Sequence, residues 1–318
     1  MKTKILQLLE AHHNEYIREE SIMKLFHLSN QSVSQHIHTL ISEGYSIIIS
    51  KEKSYCLNCP KDELNKDIIS NSLHSFYTDI EVLDSITSTN DYLKEVASNK
   101  EEGFVCIANQ QVKGKGRNGR SFYSPSNTGI YMSILLKPRL SIYESLKITA
   151  CASVAIWCAI QKNYQIHAGI KWVNDLLVEE KKIGGILCES SLKVNSDKLD
   201  YMVVGIGLNV HKQVFHDDLQ TIASSIEAFS NKIVSRNQLI GDILNYFYQY
   251  YNELATNSFL PIYKQNSTIL HKQITVYDQK QTYIAKVLDI NENANLIIKK
   301  EDGSTAILNS GEISIRST

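Results

Sequence analysis

The sequence predicts a multidomain α+β protein, and three observations carry that prediction. The chain has 318 residues, more than the ~100 to 150 of a typical single domain. Its hydrophobic period changes twice along its length. Its charges nearly cancel, with 33 Lys and Arg against 34 Asp and Glu, so no polybasic signature marks the whole chain for membrane or nucleic acid. Any nucleic-acid site is therefore local. The longest apolar run, Ile148 to Ile160, is shorter than the ~18 to 20 residues of a membrane span. Met1 to Leu6 opens like a signal sequence, but Glu10-Ala11-His12-His13-Asn14 ends the apolar stretch. No membrane association and a cytoplasmic location are expected. Six cysteines lie scattered in apolar segments, as reduced packing thiols would. Cys56 and Cys59 alone have metal-like spacing, and no second pair accompanies them.

Residues 1 to 65 begin with helical patterning at Ile5, Leu6, Leu8 and Leu9, and Ser21 to Leu28 forms a second helix. Ser29 is placed to cap a third, Gln31 to Glu43, with Val33, Ile37, Leu40 and Ile41 on one face and Gly44 closing it. The β-rich stretch Tyr45 to Leu57 follows, tipped by Lys51-Glu52-Lys53. This is the outline of a winged helix-turn-helix. The third helix would expose Asn30, Gln31, Ser32, Ser34, Gln35 and His36, together with His38 and Thr39, as candidates for DNA contact. No Lys or Arg stands among them, and residues 1 to 65 hold six Lys and one Arg against eight carboxylates. The module either reads DNA with little help from phosphate contacts or serves regulation through protein contact.

Residues 66 to 78 are polar and read as a linker. From 79 to 270, strands at Ile80 to Leu83, Val105 to Ala108, Tyr131 to Leu136, Gly169 to Trp172, Leu176 to Val178, Ile186 to Ser190 and Met202 to Leu208 alternate irregularly with helices. The helices are Asn90 to Ala97, Leu146 to Lys162 and Arg236 to Thr256. The pattern predicts an α+β domain with a mixed sheet. Residues 271 to 318 change period again, with short alternating runs at Ile274 to Tyr277, Tyr283 to Asp289, Leu296 to Lys299, Thr305 to Leu308 and Glu312 to Ile315. Turn signals at Asn291-Glu292-Asn293 and Asp302-Gly303 punctuate them, as in a small β-barrel.

The chemistry gathers in the central region. Gly114-Lys115-Gly116-Arg117-Asn118-Gly119-Arg120 satisfies the letters of a dinucleotide fingerprint. That motif feeds a helix N-terminus, whereas a loop and then a strand follow here. A flexible loop between two strands is predicted, either solvated or closing Lys115, Arg117 and Arg120 over a carboxylate and a phosphate. Lys171-Trp172-Val173-Asn174-Asp175 sits at a strand end. If a hairpin follows, Lys182 could approach Asp175, as a surface ion pair or as a pair facing substrate oxygens and metal. Gly184-Gly185 and Gly205-Ile206-Gly207-Leu208-Asn209 would admit a ligand close to the backbone. Ser88-Thr89-Asn90 precedes a helix, as a cap or as a set of hydrogen-bonding groups for an uncharged ligand. Neither a G-x-S-x-G nor an H-E-x-x-H motif occurs. Cations, glycine loops and one acidic site point to reaction at phosphorus by positioning and charge stabilisation.

Taken in order, Ser88-Thr89-Asn90, Gln111 to Arg120, Lys171 to Asp175, Lys182 to Leu187, Gly205 to Asn209 and Gly311 to Arg316 resemble the biotin protein ligases that double as biotin operon repressors. The resemblance implies a winged helix-turn-helix, a biotin- and ATP-binding domain and an SH3-like C-terminal barrel. It implies activation of biotin to biotinyl-5′-AMP and transfer to a lysine of a biotin carboxyl carrier protein, of acetyl-CoA or pyruvate carboxylase. By motif, Ser88, Thr89, Asn90, Gln111, Lys115, Gly116, Arg117, Lys182 and Gly185 would meet biotin. Gly114, Arg117, Arg120, Asn174, Asp175, Lys182 and Asn209 would meet ATP or the adenylate. Lys182, Arg117 and Asp175 would act in catalysis, with Asp175 as the Mg²⁺ ligand. The resemblance further implies an adenylate-favoured homodimer that binds operator DNA. Val173 departs from the proline usual in its motif, Asn118 and Phe122 depart in the loop, and Asn30 stands where Arg is common. Two alternatives are a biotin-sensing regulator with weak or lost ligase activity and a lipoate ligase relative. The winged helix and the glycine-rich loop argue against the latter.

Overall fold

The computed structural model describes the chain except residues 13–14, 43–44, 46, 58–61, 278–281, 310–311 and 316–318. Cys59, the Gly44 helix stop, the end of the third helix at Glu43, and Gly311 and Arg316 of the last motif lie outside the described residues. The chain forms two compact units, one of Met1–Glu63 with Ser230–Ile233 and one of Leu64–Phe229 with Val234–Thr318.

The first unit holds α1 (Lys2–Ala11), β1 (Ile17–Arg18), α2 (Glu19–Phe26), α3 (Asn30–Ser42), β2 (Ile47–Ile49) and β3 (Ser54–Leu57). The strands form an antiparallel sheet in the order β1-β3-β2. Ile5 and Leu9 of α1, Ile22 of α2, and Val33, Ile37 and Leu40 of α3 close a core with Tyr55 and Leu57, the stripe expected of amphipathic helices. Ser29 caps α3, accepting from Ser32 N at 3.3 Å. Ile41, expected on the buried face, is 37% exposed; the stripe at 33, 37 and 40 has turned past it. Lys51-Glu52-Lys53 forms the turn between β2 and β3. The winged helix-turn-helix layout is as expected.

In the second unit, residues 66–78 are no free linker. They carry α4 (Lys66–Ser70), capped by the Asn65 side chain at 3.0 Å. Ile69 is fully buried and the Tyr77 hydroxyl donates to Leu244 O. Polar composition described the exposed face of this segment, and two apolar anchors decide its packing.

The central sheet contains β4 (Asp79–Ile86), β5 (Phe104–Gln111), β6 (Gly129–Leu136), β7 (Gly169–Lys171), β8 (Asp175–Val178), β9 (Lys181–Leu192) and β10 (Leu199–Asn209). Its order is β4-β5-β6-β10-β9-β8-β7. Only β4 and β5 run parallel, joined by the crossover helix α5 (Thr89–Val96), so the sheet is mixed as predicted. A core helix, α6 (Ser145–Tyr164), packs on α8 (Arg236–Asn252) and on the sheet, with the short helix α9 (Leu260–Gln265) alongside; another short helix, α7 (Asp217–Gln220), follows β10 in the chain. Ile142–Tyr164 is long and apolar enough to cross a membrane by length and composition, the one such stretch among the described residues. Its apolar side chains, among them Ile148, Val154, Ile156 and Ile160, are instead buried in the protein core.

The β8–β9 connection is a two-residue hairpin turn. Val178 pairs with Lys181, and Glu179 and Glu180 both have positive φ, 48° and 68°. That pattern matches the right-handed strand twist, and it starts β9 five residues earlier than the apolar run suggested. The C-terminal strands β11 (Gln273–Tyr277), β12 (Thr282–Ile290), β13 (Leu296–Lys300), β14 (Thr305–Leu308) and β15 (Glu312–Ile315) form a five-stranded antiparallel sheet in the order β14-β13-β12-β11-β15. Its Ile274, Val287 and Ile298 share one core with the central sheet.

Candidate active site

A cavity of about 840 Å³ opens along β5, β9 and β10 and the loops at their ends. One wall begins at the N-terminus of α5. Ser88 caps that helix, accepting from Asp91 N at 3.4 Å, and Ser88, Thr89 and Asn90 are each no more than 4% exposed. Buried polar groups of this kind need partners, and they have them. Thr89 N donates to Gln111 Oε1 at 2.9 Å, Gln111 Nε2 donates to Ser124 Oγ at 3.1 Å, and Asn90 Nδ2 donates to Leu187 O at 3.1 Å and Glu189 Oε2 at 2.8 Å. Ser133 Oγ lies 2.7 Å from Thr89 Oγ1 and 2.6 Å from Asn90 Oδ1. The result is a neutral, densely hydrogen-bonded surface. Gly205 has to be a glycine here, because a Cβ would stand 2.2 Å from Asn90 Oδ1.

The opposite rim is cationic. The loop between β5 and β6 is a tight hairpin: Lys115 bridges Ser121, Gly116 N donates to Arg120 O at 2.7 Å, and Arg117–Gly119 makes one 3₁₀ turn. Asn118 and Gly119 take positive φ, 56° and 74°, a conformation glycine and asparagine adopt most readily. Arg117 Nη1 reaches Asn174 Oδ1 at 3.2 Å, and Asn174 Nδ2 donates to Ile186 O at 2.9 Å. Lys182 Nζ lies 2.6 Å from Asp175 Oδ1, the approach that the hairpin makes possible. Gly185 faces that pair, and a Cβ there would come within 3.2 Å of both. The peptide between Trp172 and Val173 is cis. Trp172 lines the cavity and donates its indole N–H to Ala294 O at 2.9 Å. Asn209 Nδ2 donates to Ser224 O at 3.1 Å, and Lys182 N donates to Ile222 O at 2.8 Å. Those bonds hold residues 222–224 over the cavity, which Phe215, Leu219 and Ile222 also line.

Thirteen of the fourteen candidate ligand residues line this one cavity: Ser88, Thr89, Asn90, Gln111, Lys115, Gly116, Arg117, Arg120, Asn174, Asp175, Lys182, Gly185 and Asn209. Gly114 does not. It is buried in the loop base, where a Cβ would meet Phe122 O at 2.4 Å and Ser124 Oγ at 2.6 Å, so its part is close packing. Lys115, expected to face the ligand, also pairs with Asp91 at 2.7 Å. Asp91 in turn meets Lys94 at 2.9 Å, and Lys94 meets Glu189 at 2.7 Å. Burial pushes the Asp91 carboxyl up, and hydrogen bonds from Lys115 and Lys94 more than offset it, holding the group below the usual carboxylate range. Sequence reasoning missed Ser133, Lys94 and Glu189. Ser133 had a signal, being the one hydroxyl-bearing serine within the apolar strand Ile130 to Leu136. Glu189 had none, since its partners lie 95 and 99 residues away in sequence. Among the described residues no group of three or more His, Cys, Asp or Glu could hold a metal ion.

On the first unit, Asn30, Gln31 and Gln35 are exposed along α3, and Ser32 and His36 are partly so. Ser34 instead hydrogen-bonds the Tyr55 hydroxyl. That hydroxyl donates to Glu19 Oε1 at 2.6 Å, and burial, then Glu19, raises the phenol to about 12.

The second unit is thus a mixed sheet with a cation-rimmed polar cavity, and residues 82–209, which form most of that sheet, match the biotin/lipoate A/B protein ligase family. The chain is 28% identical over 316 residues to the bifunctional ligase/repressor BirA of Bacillus subtilis, spanning 95% of each chain. It is 28% identical over 207 residues to BirA of Escherichia coli, spanning 65% of this chain and 63% of that one. The biotin protein ligase from Aquifex aeolicus, solved in complex with biotin and ATP, superposes with a TM-score of 0.65 at 26% identity, covering 76% of this chain and 100% of the other.

Proposed function

We propose that this protein is an ATP-dependent biotin protein ligase that also represses transcription of biotin genes in response to biotinyl-5′-AMP. The observation that carries the reading is one cavity with a neutral hydrogen-bonding wall at Ser88, Thr89, Asn90 and Gln111 and a cationic rim at Lys115, Arg117, Arg120 and Lys182. A head group without charge and an anionic reacting end suit those two halves.

In the first step a biotin carboxylate oxygen attacks the α-phosphorus of ATP. The new O–P bond forms as the bond to the β-phosphate oxygen breaks, and pyrophosphate leaves. Both reactants are anions, so the protein's main task is to offset their repulsion and to stabilise charge on the phosphorus oxygens. Lys182 does this between carboxylate and α-phosphate, with Asp175 holding its ammonium group in place. Arg117 draws the loop toward the nucleotide through Asn174, and Arg120 meets phosphate. Asn209 and the segment it holds close over the adenylate. One carboxylate together with substrate phosphates is a usual way to hold Mg²⁺; Asp175 fits that part, and the ion would neutralise charge on the leaving pyrophosphate. In the second step a carrier lysine amine attacks the acyl carbon, its proton is lost, and AMP departs. Loop closure keeps water from the adenylate between the steps.

The acceptor is a biotin carboxyl carrier protein, and the location is cytoplasmic, where carboxylases and ATP are found. The adenylate binds the homodimer more tightly than the monomer, a requirement of any such coupling, and the paired α3 helices then meet a two-part operator through Asn30, Gln31, Ser32, Gln35 and His36. Residues 1–65, 79–270 and 271–318 serve as the DNA-binding, catalytic and C-terminal domains.

The test is biotin transfer to a purified apo carrier domain with ATP and Mg²⁺ present or omitted. Labelling of one carrier lysine only with ATP is the expected result, and Lys182→Ala should lower pyrophosphate release by roughly a hundredfold or more with the fold intact. Tight biotin binding without labelling would replace this reading with that of a biotin-sensing regulator. Pyrophosphate release near the wild-type rate in Lys182→Ala would remove Lys182 from catalysis.

A further inference from the structure

The contacts of Asn90 determine which way its amide faces. Nδ2 donates to Leu187 O at 3.1 Å and to Glu189 Oε2 at 2.8 Å, and a carbonyl and a carboxylate can only accept. Both amide hydrogens are thereby used, and Oδ1 faces Ser133 Oγ at 2.6 Å. Glu189 is itself held by Lys94, whose Nζ lies 2.7 Å from the other carboxylate oxygen. The close approach of Gly205 leaves the amide no space to swing aside.

The remaining hydrogen bonds follow from counting protons. Asn90 Oδ1 at one end and Gln111 Oε1 at the other both accept. Between them stand two hydroxyls, Ser133 and Thr89, with one proton each, in contacts of 2.6, 2.7 and 3.1 Å. The buried Oδ1 takes the Ser133 proton at 2.6 Å, and Thr89 Oγ1 donates to Gln111 Oε1 at 3.1 Å, which also accepts the Thr89 backbone N–H at 2.9 Å. Thr89 Oγ1 is left as an acceptor on a residue that lines the cavity. With the amide reversed, Nδ2 would donate to Ser133, and the Ser133 proton would then occupy Thr89 Oγ1.

We propose that Glu189 is a positioning residue that sets the donor and acceptor pattern of this wall, through the orientation of Asn90, for a neutral ligand group that offers an N–H to Thr89. This rests on the biotin reading, since a cyclic urea supplies such an N–H. Glu189 need not touch the ligand.

Glu189→Gln separates this role from simple support. Its amide cannot satisfy Lys94 and Asn90 Nδ2 together: with its oxygen toward Lys94 its NH₂ faces Asn90, which reverses. Biotin affinity, measured by calorimetry without ATP, should then fall roughly tenfold to a hundredfold, as for a buried hydrogen bond left unmade. Adding Lys94→Met frees the glutamine oxygen to accept from Asn90, so the double variant should regain most of the lost affinity. Wild-type affinity in Glu189→Gln, or a double variant no better than the single one, overturns the proposal. A readout without ligand is the NMR signal pair of the Asn90 side-chain amide, identified by its loss in Asn90→Asp. The pair should shift in Glu189→Gln and return in the double variant; an unchanged pair overturns the positioning role. Failure of the wild-type protein to bind biotin would instead sink the ligase reading and leave the NMR result to decide the orientation.

Discussion

Asp91 shows how one residue serves two ends of the site. It opens α5 behind the Ser88 cap and takes both Lys94 and Lys115 on its carboxylate, so it ties the cationic loop to the helix that carries Thr89 and Asn90. Its folded-state carboxyl titrates below the ordinary 3.8. A lowered value means that the ionised form is favoured by folding, so the contribution is complete above about pH 4 and is lost as pH falls through the depressed value. Amide exchange in residues 112–122 should therefore quicken, relative to intrinsic rates, as pH drops below about 4. In Asp91→Asn the same segment should be fast at every pH; a wild-type profile in that variant would dissociate the loop from the pair. The cap Ser88-Thr89-Asn90 was legible in the sequence because capping is local chemistry. The Glu189 contact was not, because a pair between α5 and β9 exists only once the sheet is assembled.

Elements differ in how far their sequence explains them. Periodicity located α5, α6 and α8 within a few residues, since burial on one side repeats with the helical turn. The β8–β9 hairpin was harder to read. Its turn residues, Glu179 and Glu180, occupy the left-handed region, where side chains with a Cβ are disfavoured by roughly 1 to 2 kcal/mol each. Replacing them by Asn and Gly should stabilise the protein by about 1 kcal/mol, visible as a raised denaturation midpoint. An unchanged or lowered midpoint would mean that the glutamates make a compensating contact. Lys182 lies two residues beyond this turn, so the geometry of the hairpin and the placement of the Lys182–Asp175 pair are one matter. The 114–120 loop was placed between strands correctly, whereas Gly114 was assigned to the ligand because its packing against Phe122 and Ser124 is a tertiary fact.

For the whole molecule, charge is the useful quantity. The chain is nearly neutral, and the exposed side chains of α3 at Asn30, Gln31 and Gln35 carry no positive charge. If the first unit reads an operator through this face, few counterions are released on binding, and the logarithm of affinity should fall only shallowly with the logarithm of salt concentration. Titrations between about 50 and 200 mM salt measure that slope; a steep one would place the main contacts elsewhere. The sequence by itself determined the succession of three patterned regions, the mixed α+β class, and the residue types gathered in the motifs. Each of these follows from local preference and hydrophobic period, which act over a few residues. The tertiary structure alone decided that residues 66–78 pack into the second unit, that Gly114 packs in the base of the loop, and that Ser133 and Glu189 meet Asn90, with Lys94 holding Glu189. Those outcomes depend on which buried polar groups meet across the sheet, and the demand that each find a partner is satisfied only in the folded chain.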